Sequence, residues 1–300
     1  MSSNQKATML VTGASGQLGR RVVELLLETY KGTIVAATRT PEKLAEFSQR
    51  GVIVRQADFE DTASLSQAFQ GVDRLLLIST DAVDVPGRRL NQHRNAIKAA
   101  EQAGVQHVVY TSIINPGPDS PAFVAPDHRG TEEALSASSL GWTSLRENIY
   151  MDMLLMSVSQ ALQSGKLVNA IGDGKAAYIT REDVAHASAA ALIAPFEGRR
   201  TLEITGPEAI SQAEIAAIAS KLTGREIAYV PIPLEALIQA MESNGLPRPL
   251  AEAYASFDAA IAQDKFSAVT NTVEELTGRK PISVADFLSS NQGVFNPTTA

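Results

Sequence analysis

Three glycines stand at intervals of three near the start of the chain: Gly13, Gly16 and Gly19. They follow the apolar run Met9-Leu10-Val11 and precede Leu18, Val22, Leu25 and Leu26 at helical spacing. A strand, a glycine turn and a helix in that order can hold a pyrophosphate. Gly13 allows the tight exit from the strand, Gly16 lets backbone approach the phosphates, and Gly19 lets the helix pack close. The helix N-terminus then offers unpaired N–H groups and the positive end of its dipole. Gly13, Ser15, Gly16, Gln17 and Leu18 are therefore the expected cofactor contacts in this turn.

The next chemistry-bearing residue lies at the end of a second apolar run, Thr33 to Thr38, which leads into Arg39-Thr40-Pro41-Glu42-Lys43. An acidic residue at this strand end would hold the 2′-hydroxyl of NAD. Arg39 stands there instead, with Lys43 nearby, and a guanidinium can grip a 2′-phosphate with paired donors. NADPH is the expected cofactor. Asp58 and Phe59 end a third strand, Gly51 to Ala57, where an adenine ring would lie; Asp58 is also a possible helix N-cap. Ser79 and Thr80 close the strongly apolar strand Leu75–Ile78, and Thr111 closes Val108–Ser112. Ligands sit at such carboxyl ends, which makes these three further cofactor candidates.

The elements that must position these residues alternate strand and helix about six times up to residue 150. That rhythm predicts an α/β fold, a Rossmann-type doubly wound parallel sheet. The stretch Asn115 to Pro126 carries four prolines and reads as a substrate-side loop. Helices are expected over about 90–103, 127–138 and 180–194, the last capped by Thr180. His93 reads as structural. Beyond residue 150 the pattern changes to a smaller, mostly helical C-terminal α/β region on the substrate side. The expected division is 1–150 for cofactor and 151–300 for substrate, with the second part not an independent fold. Met151, Met153 and Met156 read either as core or as an adaptable pocket wall, and 291–300 as frayed.

Bulk composition narrows the classes. Of 300 residues 44% are hydrophobic and 20% charged, which places the chain among globular proteins. With no cysteine, disulfides and thiolate chemistry are excluded, and the four histidines lack metal-ligand spacing, so no metal is expected. A net charge of −7 argues against nucleic acid, and no run suits a membrane span or signal peptide. The expectation is a cytoplasmic enzyme with a small-molecule partner, as a monomer or homodimer.

The ordered motifs resemble the NmrA-like atypical short-chain dehydrogenase/reductases, most of all the branch of NAD(P)H:quinone oxidoreductases and triphenylmethane reductases. The resemblance rests on Val11 through Gly19, Arg39 through Lys43, Arg55 through Phe59, Leu75 through Ser79, Tyr110-Thr111-Ser112, His128 through Glu132, Leu145-Arg146 and Leu202 through Pro207. It covers nearly the whole chain. It implies a reductase that passes hydride from NADPH to a quinone or similar planar acceptor. The alternative is a non-catalytic dinucleotide sensor of the NmrA type acting through a protein partner. Active short-chain dehydrogenases use a tyrosine and a lysine four residues on; here His128 and Glu132 occupy the matching positions. That absence also disfavours a sugar-nucleotide epimerase. His128, Asn148 and Tyr150 are then the polar groups expected to orient the acceptor. The branch usually has asparagine directly after the strand-six arginine; here Glu147 sits there and Asn148 follows.

Overall fold

The computed structural model describes residues 6–295. Strand β1 (Met9–Val11) leads to α1 (Gln17–Thr29), β2 (Ile34–Thr38), α2 (Ala45–Gln49), β3 (Ile53–Gln56), α3 (Thr62–Ala68), β4 (Arg74–Leu77), α4 (Arg88–Gln102), β5 (His107–Ile113), α5 (Ala125–Ala137) and β6 (Gly141–Glu147). The chain continues through α6 (Leu154–Ser164), β7 (Lys166–Asn169), β8 (Lys175–Ala176), α7 (Arg181–Ile193), β9 (Arg199–Ile204), β10 (Ile210–Ser211), α8 (Gln212–Thr223) and β11 (Ala228–Pro231). It closes with α9 (Leu234–Ser243), α10 (Arg248–Ala262), α11 (Thr272–Thr277), α12 (Val284–Ser290) and α13 (Gln292–Phe295).

The main sheet has seven strands in the order β3-β2-β1-β4-β5-β6-β9. The first five pair in parallel. Bonds from Gly141 N–H to Gln106 O and from Ile114 N–H to Glu147 O continue that sense to β6, and Trp142 to Gly198 O and Asn148 to Ile204 O extend it to β9. This is the expected doubly wound sheet. Its central strands are buried on both faces, which is why Leu75, Leu76 and Leu77 stand as an unbroken apolar run rather than an alternating one. Leu10, Val35, Leu75, Leu77, Val108 and Tyr110 share one core cluster with Leu65 and Phe69 below them. Each such fully buried side chain contributes roughly 1.5–3 kcal/mol relative to exposure. The helix α1 turns Leu18, Val22, Val23, Leu25 and Leu26 inward, as its spacing requires.

Several expectations need correcting. The compact units do not part at residue 150. One runs to Ile113 and then takes Pro126–Arg146 and Val184–Leu202; the other takes Ile114–Ala125, Glu147–Asp183 and Glu203 onward. The chain leaves the first unit after β5, before the last residue of β6 and within β9, and strand-helix alternation cannot reveal such returns. Three short strands in the second unit, β7, β8 and β10, carried no recognisable pattern; β8 pairs with β10 antiparallel and β7 with β11 in parallel. Helix α3 is capped by Asp61, whose carboxylate accepts from Ala63 and Ser64, rather than by Asp58. Pro126 lies inside the first turn of α5, where its missing N–H has no partner to lose. Phe295 is buried at the end of α13, so 291–295 are not frayed, while 296–300 lie outside the described residues.

Candidate active site

In the first unit, β1 runs into a turn that Gly16 N–H closes on Gly13 O at 2.9 Å. Gly13 has φ +59°, the left-handed region that favours glycine. A Cβ on Gly19 would collide with the Gly13 carbonyl and the Ala14 Cα, so α1 packs on the turn only because Gly19 has none. Gly16 caps α1 without a side-chain acceptor, and no acidic residue occupies the first turn. The first N–H groups of α1 are left for an external acceptor. Gly13, Gly16 and Gln17 are exposed, Ser15 is half-buried and Leu18 is buried. The Ser15 hydroxyl meets the Thr38 hydroxyl at 2.8 Å, which ties the glycine turn to the end of β2.

Beyond β2, Arg20 of α1 donates to Lys43 O, pairs with Glu46 and lies over the Phe47 ring, pinning the turn from Pro41 to α2. Arg39 and Lys43 are exposed, and neither side chain makes a hydrogen bond or salt bridge among the described residues. Arg39 acts electrostatically on Glu60, whose carboxyl is held down at about 2, first by its bonds to Arg88 and Gln92. Asp58 uses Oδ1 on the N–H of Glu60, a local turn, and Phe59 is buried in the core cluster.

The carboxyl ends of β4 and β5 are held by hydroxyls. Thr12 Oγ1 donates to Leu76 O and accepts from Ile78 N–H; Thr111 Oγ1, 1% exposed, accepts from Ser79 N–H at 2.8 Å. Thr111 thus positions Ser79. Thr80 N–H donates to His93 Nε2 at 3.0 Å, and Arg89 Nε donates to Thr80 O at 2.7 Å. A backbone N–H only donates, so His93 Nε2 accepts and Nδ1–H donates to Thr131, which in turn donates to Asp127 O. The same reasoning applies to His128. Arg89 Nη2 lies 2.9 Å from its Nε2, so Nδ1–H faces Tyr110 Oη at 2.8 Å. Burial, reinforced by Arg89, pushes His93 down to about 3 and His128 well below the ordinary value. Both imidazoles are neutral, and both ring nitrogens of His128 are engaged inside the protein. His128 is therefore a support beneath Thr80 and Tyr110 rather than a group aimed at an acceptor. Glu132, at the position expected for a lysine, is bound by Ser112, Ser144 and a two-bond contact from Arg146.

In the second unit, Asn148 is buried. Its Nδ2 donates to Phe266 O at 2.9 Å, and its Oδ1 accepts from Ile149 N–H. That amide braces backbone. Tyr150 is half-buried, and its hydroxyl donates to Glu147 Oε2 at 2.6 Å. Glu147 is 7% exposed and its Oε1 has no partner; burial raises its carboxyl to about 8. The Arg181 guanidinium lies 5.4 Å from the Tyr150 ring centroid and is tied to Asp152 at 2.8 Å. Met151 is buried, whereas Met153 and Met156 are exposed. The proline-rich loop is pinned within its own unit: Asn115 Nδ2 donates to Lys265 O, Lys265 Nζ to Asp119, and Phe123 N–H to Ser256 Oγ.

The first unit's donors fit a dinucleotide: an open glycine turn, unclaimed helix N–H groups and, among the described residues, the unpaired Arg39 and Lys43 and a buried Thr80 hydroxyl without a protein partner. The NAD(P)H-binding family matches residues 13–195. The chain belongs to this family, within its NmrA-like atypical short-chain dehydrogenase/reductases. It is 36% identical to quinone oxidoreductase 2 of Escherichia coli over 280 residues, 93% of this chain and 96% of that protein. It is similar to the crystal structure of an NADPH-dependent quinone oxidoreductase from Escherichia coli complexed with NADPH, with TM-score 0.89 and 36% identity over 94% of this chain and 99% of that one. The triphenylmethane reductase of Citrobacter sp. complexed with NADP(H) gives TM-score 0.88 and 30% identity, again over 94% and 99%. The protein is an NAD(P)H-dependent oxidoreductase.

The residues that were not legible beforehand are Thr12, Arg89, His93 as a ligand of Thr80, Tyr110 and Glu147. Arg89 was hidden by its distance along the chain, 39 residues from His128. Glu147 carried a usable signal, an acid as the last residue of a strand. Among the described residues no helix is long and apolar enough to cross a membrane.

Proposed function

We propose that the reductase uses NADPH to reduce a quinone or a similar planar, electron-poor acceptor. A bound dihydronicotinamide supplies the hydride, and the protein supplies position and a water-poor site. The observation that carries this reading is the state of Glu132. Its carboxylate is committed to Ser112, Ser144 and Arg146, so that helix position offers no cation to assist a tyrosine in ordinary carbonyl reduction. Acceptors that take hydride without such assistance suit the site. The similarity to quinone and dye reductases over nearly the whole chain supports the same reading and favours catalysis over a sensor role. NADPH is favoured over NADH by the exposed Arg39 and Lys43 and by the absence of an acid at the end of β2. On this reading the glycine turn and α1 bind the pyrophosphate, Arg39 and Lys43 the 2′-phosphate, and Ser79, Thr80 and Thr111 form or brace the nicotinamide end. Tyr150 is a polar group that would orient the acceptor, while Asn148 braces backbone in its own unit and His128 braces Arg89 and Tyr110 in the first. The test is NADPH oxidation against a panel of benzoquinones, naphthoquinones and cationic dyes. Turnover with quinones is expected; none with any of them would overturn the proposal.

A further inference from the structure

We propose that Arg89 selects the redox form of the cofactor: its buried guanidinium favours the uncharged, reduced nicotinamide ring and disfavours the cationic, oxidised one. This rests on the reading of Ser79 and Thr80 as the nicotinamide end, and it lies wholly within the first unit. Arg89 is 6% exposed. Its Nε donates to Thr80 O at 2.7 Å and its Nη2 to His128 Nε2 at 2.9 Å, both neutral acceptors. Its Nη1 is buried with no partner, as is the Thr80 hydroxyl. Among the described residues no carboxylate forms an ion pair with it; Asp127 and Asp81 act on it only from beyond ion-pair reach.

The surroundings all disfavour a cation here. Burial opposes the charge. No acid occupies the first turn of α4, and the positive end of that helix's dipole adds to the charge rather than offsetting it. An arginine nonetheless keeps its proton in a protein interior. Its charge is felt nearby: after burial itself, Arg89 helps to hold His93 and His128 neutral. A fixed, uncompensated positive charge therefore stands on the carbonyl of Thr80, just beyond the carboxyl end of β4.

The two cofactor forms differ by one unit of ring charge, because hydride departs with its electron pair to the acceptor. Their pyrophosphate and 2′-phosphate groups are the same, so those contacts cancel in the ratio of the two affinities. What remains is the interaction of the ring with fixed charge nearby. One charge acting across roughly 10 Å at an effective dielectric of about 20 changes an equilibrium by about 10-fold. The reduced form is retained and the oxidised form released. A tenfold preference raises the potential of the bound couple by about 30 mV, a loss of driving force that an electron-poor acceptor tolerates.

Isothermal titration calorimetry of the full chain with NADPH and with NADP⁺ gives the ratio of the two dissociation constants. It is measured for wild type, Arg89→Met, Arg89→Gln and Arg89→Lys. Wild type should bind NADPH more tightly than NADP⁺, and the two neutral variants should lower that preference by about 10-fold. Arg89→Lys should keep most of it. A merely structural role would weaken both forms together and leave the ratio alone. An unchanged ratio in the neutral variants, or an equal fall in Arg89→Lys, overturns the charge role and leaves the cofactor assignment standing. Where neither neutral variant folds, wild type decides: NADP⁺ bound as tightly as NADPH overturns the proposal. A wild type with no affinity for either form overturns the cofactor reading as well.

Discussion

Glu147 makes a stability prediction that is independent of any substrate. Its carboxyl is raised from 4.5 to about 8, first by burial, with the Tyr150 bond opposing. The folded protein therefore binds this proton more tightly than the unfolded chain. Stability from this group is fully present below pH 4.5 and is lost as pH rises towards 8, at about 1.4 kcal/mol per pH unit. Glutamine has the same shape and does not titrate. The other ionisable groups are common to both proteins and cancel in the difference. Going from pH 5 to pH 8, wild type should lose on the order of 3 kcal/mol relative to Glu147→Gln. For a chain of 300 residues that is about 5 °C in Tm. Denaturant titrations of both proteins at matched pH values, with Tm as a second readout, measure this directly. Stability curves that run parallel from pH 5 to pH 9 would show that Glu147 is ionised in the folded state, and the argument from its burial would fail.

Three further outcomes follow from the first unit. Gly19→Ala places a methyl against the Gly13 carbonyl, which cannot yield without opening the turn, so Tm should drop by the equivalent of about 1–3 kcal/mol. NADPH affinity in calorimetry should fall with it; wild-type affinity would refute the close approach of α1. Arg39→Asp should weaken NADPH by roughly 10- to 100-fold, the worth of a charge-assisted pair, and leave NADH nearly unchanged; equal effects on the two would refute the 2′-phosphate role. His93→Gln should alter acid stability. His93 is pushed down to about 3 by burial, so the unfolded chain takes the proton first and acid favours unfolding. Between pH 7.5 and 5.5 wild type should lose about 1 kcal/mol that the variant keeps, seen in urea titrations. A difference that does not change with pH would mean that His93 is already protonated or exposed.

Local pattern carried far in this chain. The glycine turn, the central strands and α1 were legible because each depends on neighbours in sequence: an apolar run, a residue that needs positive φ, a helical repeat. The position of Arg39 just beyond β2 was legible because a strand's end is set locally too. Asp58 misled because a carboxylate shortly before a helix looks like its cap, whereas Asp61, directly before Thr62, reaches the free N–H groups of Ala63 and Ser64.

What the amino-acid order determined, then, is the family, the doubly wound sheet and the dinucleotide turn, since short-range spacing encodes all three. Folding decided which polar groups are available for chemistry. His128 and Asn148 are polar in sequence, but burial and hydrogen bonding turn them inward, on Arg89 and Tyr110 in one case and Phe266 O in the other. Glu147 is an ordinary acid in sequence, but in the fold burial raises its carboxyl, and among the described residues no cation pairs with it. Whether a side chain has a partner depends on residues distant along the chain, and only the packed protein brings those together.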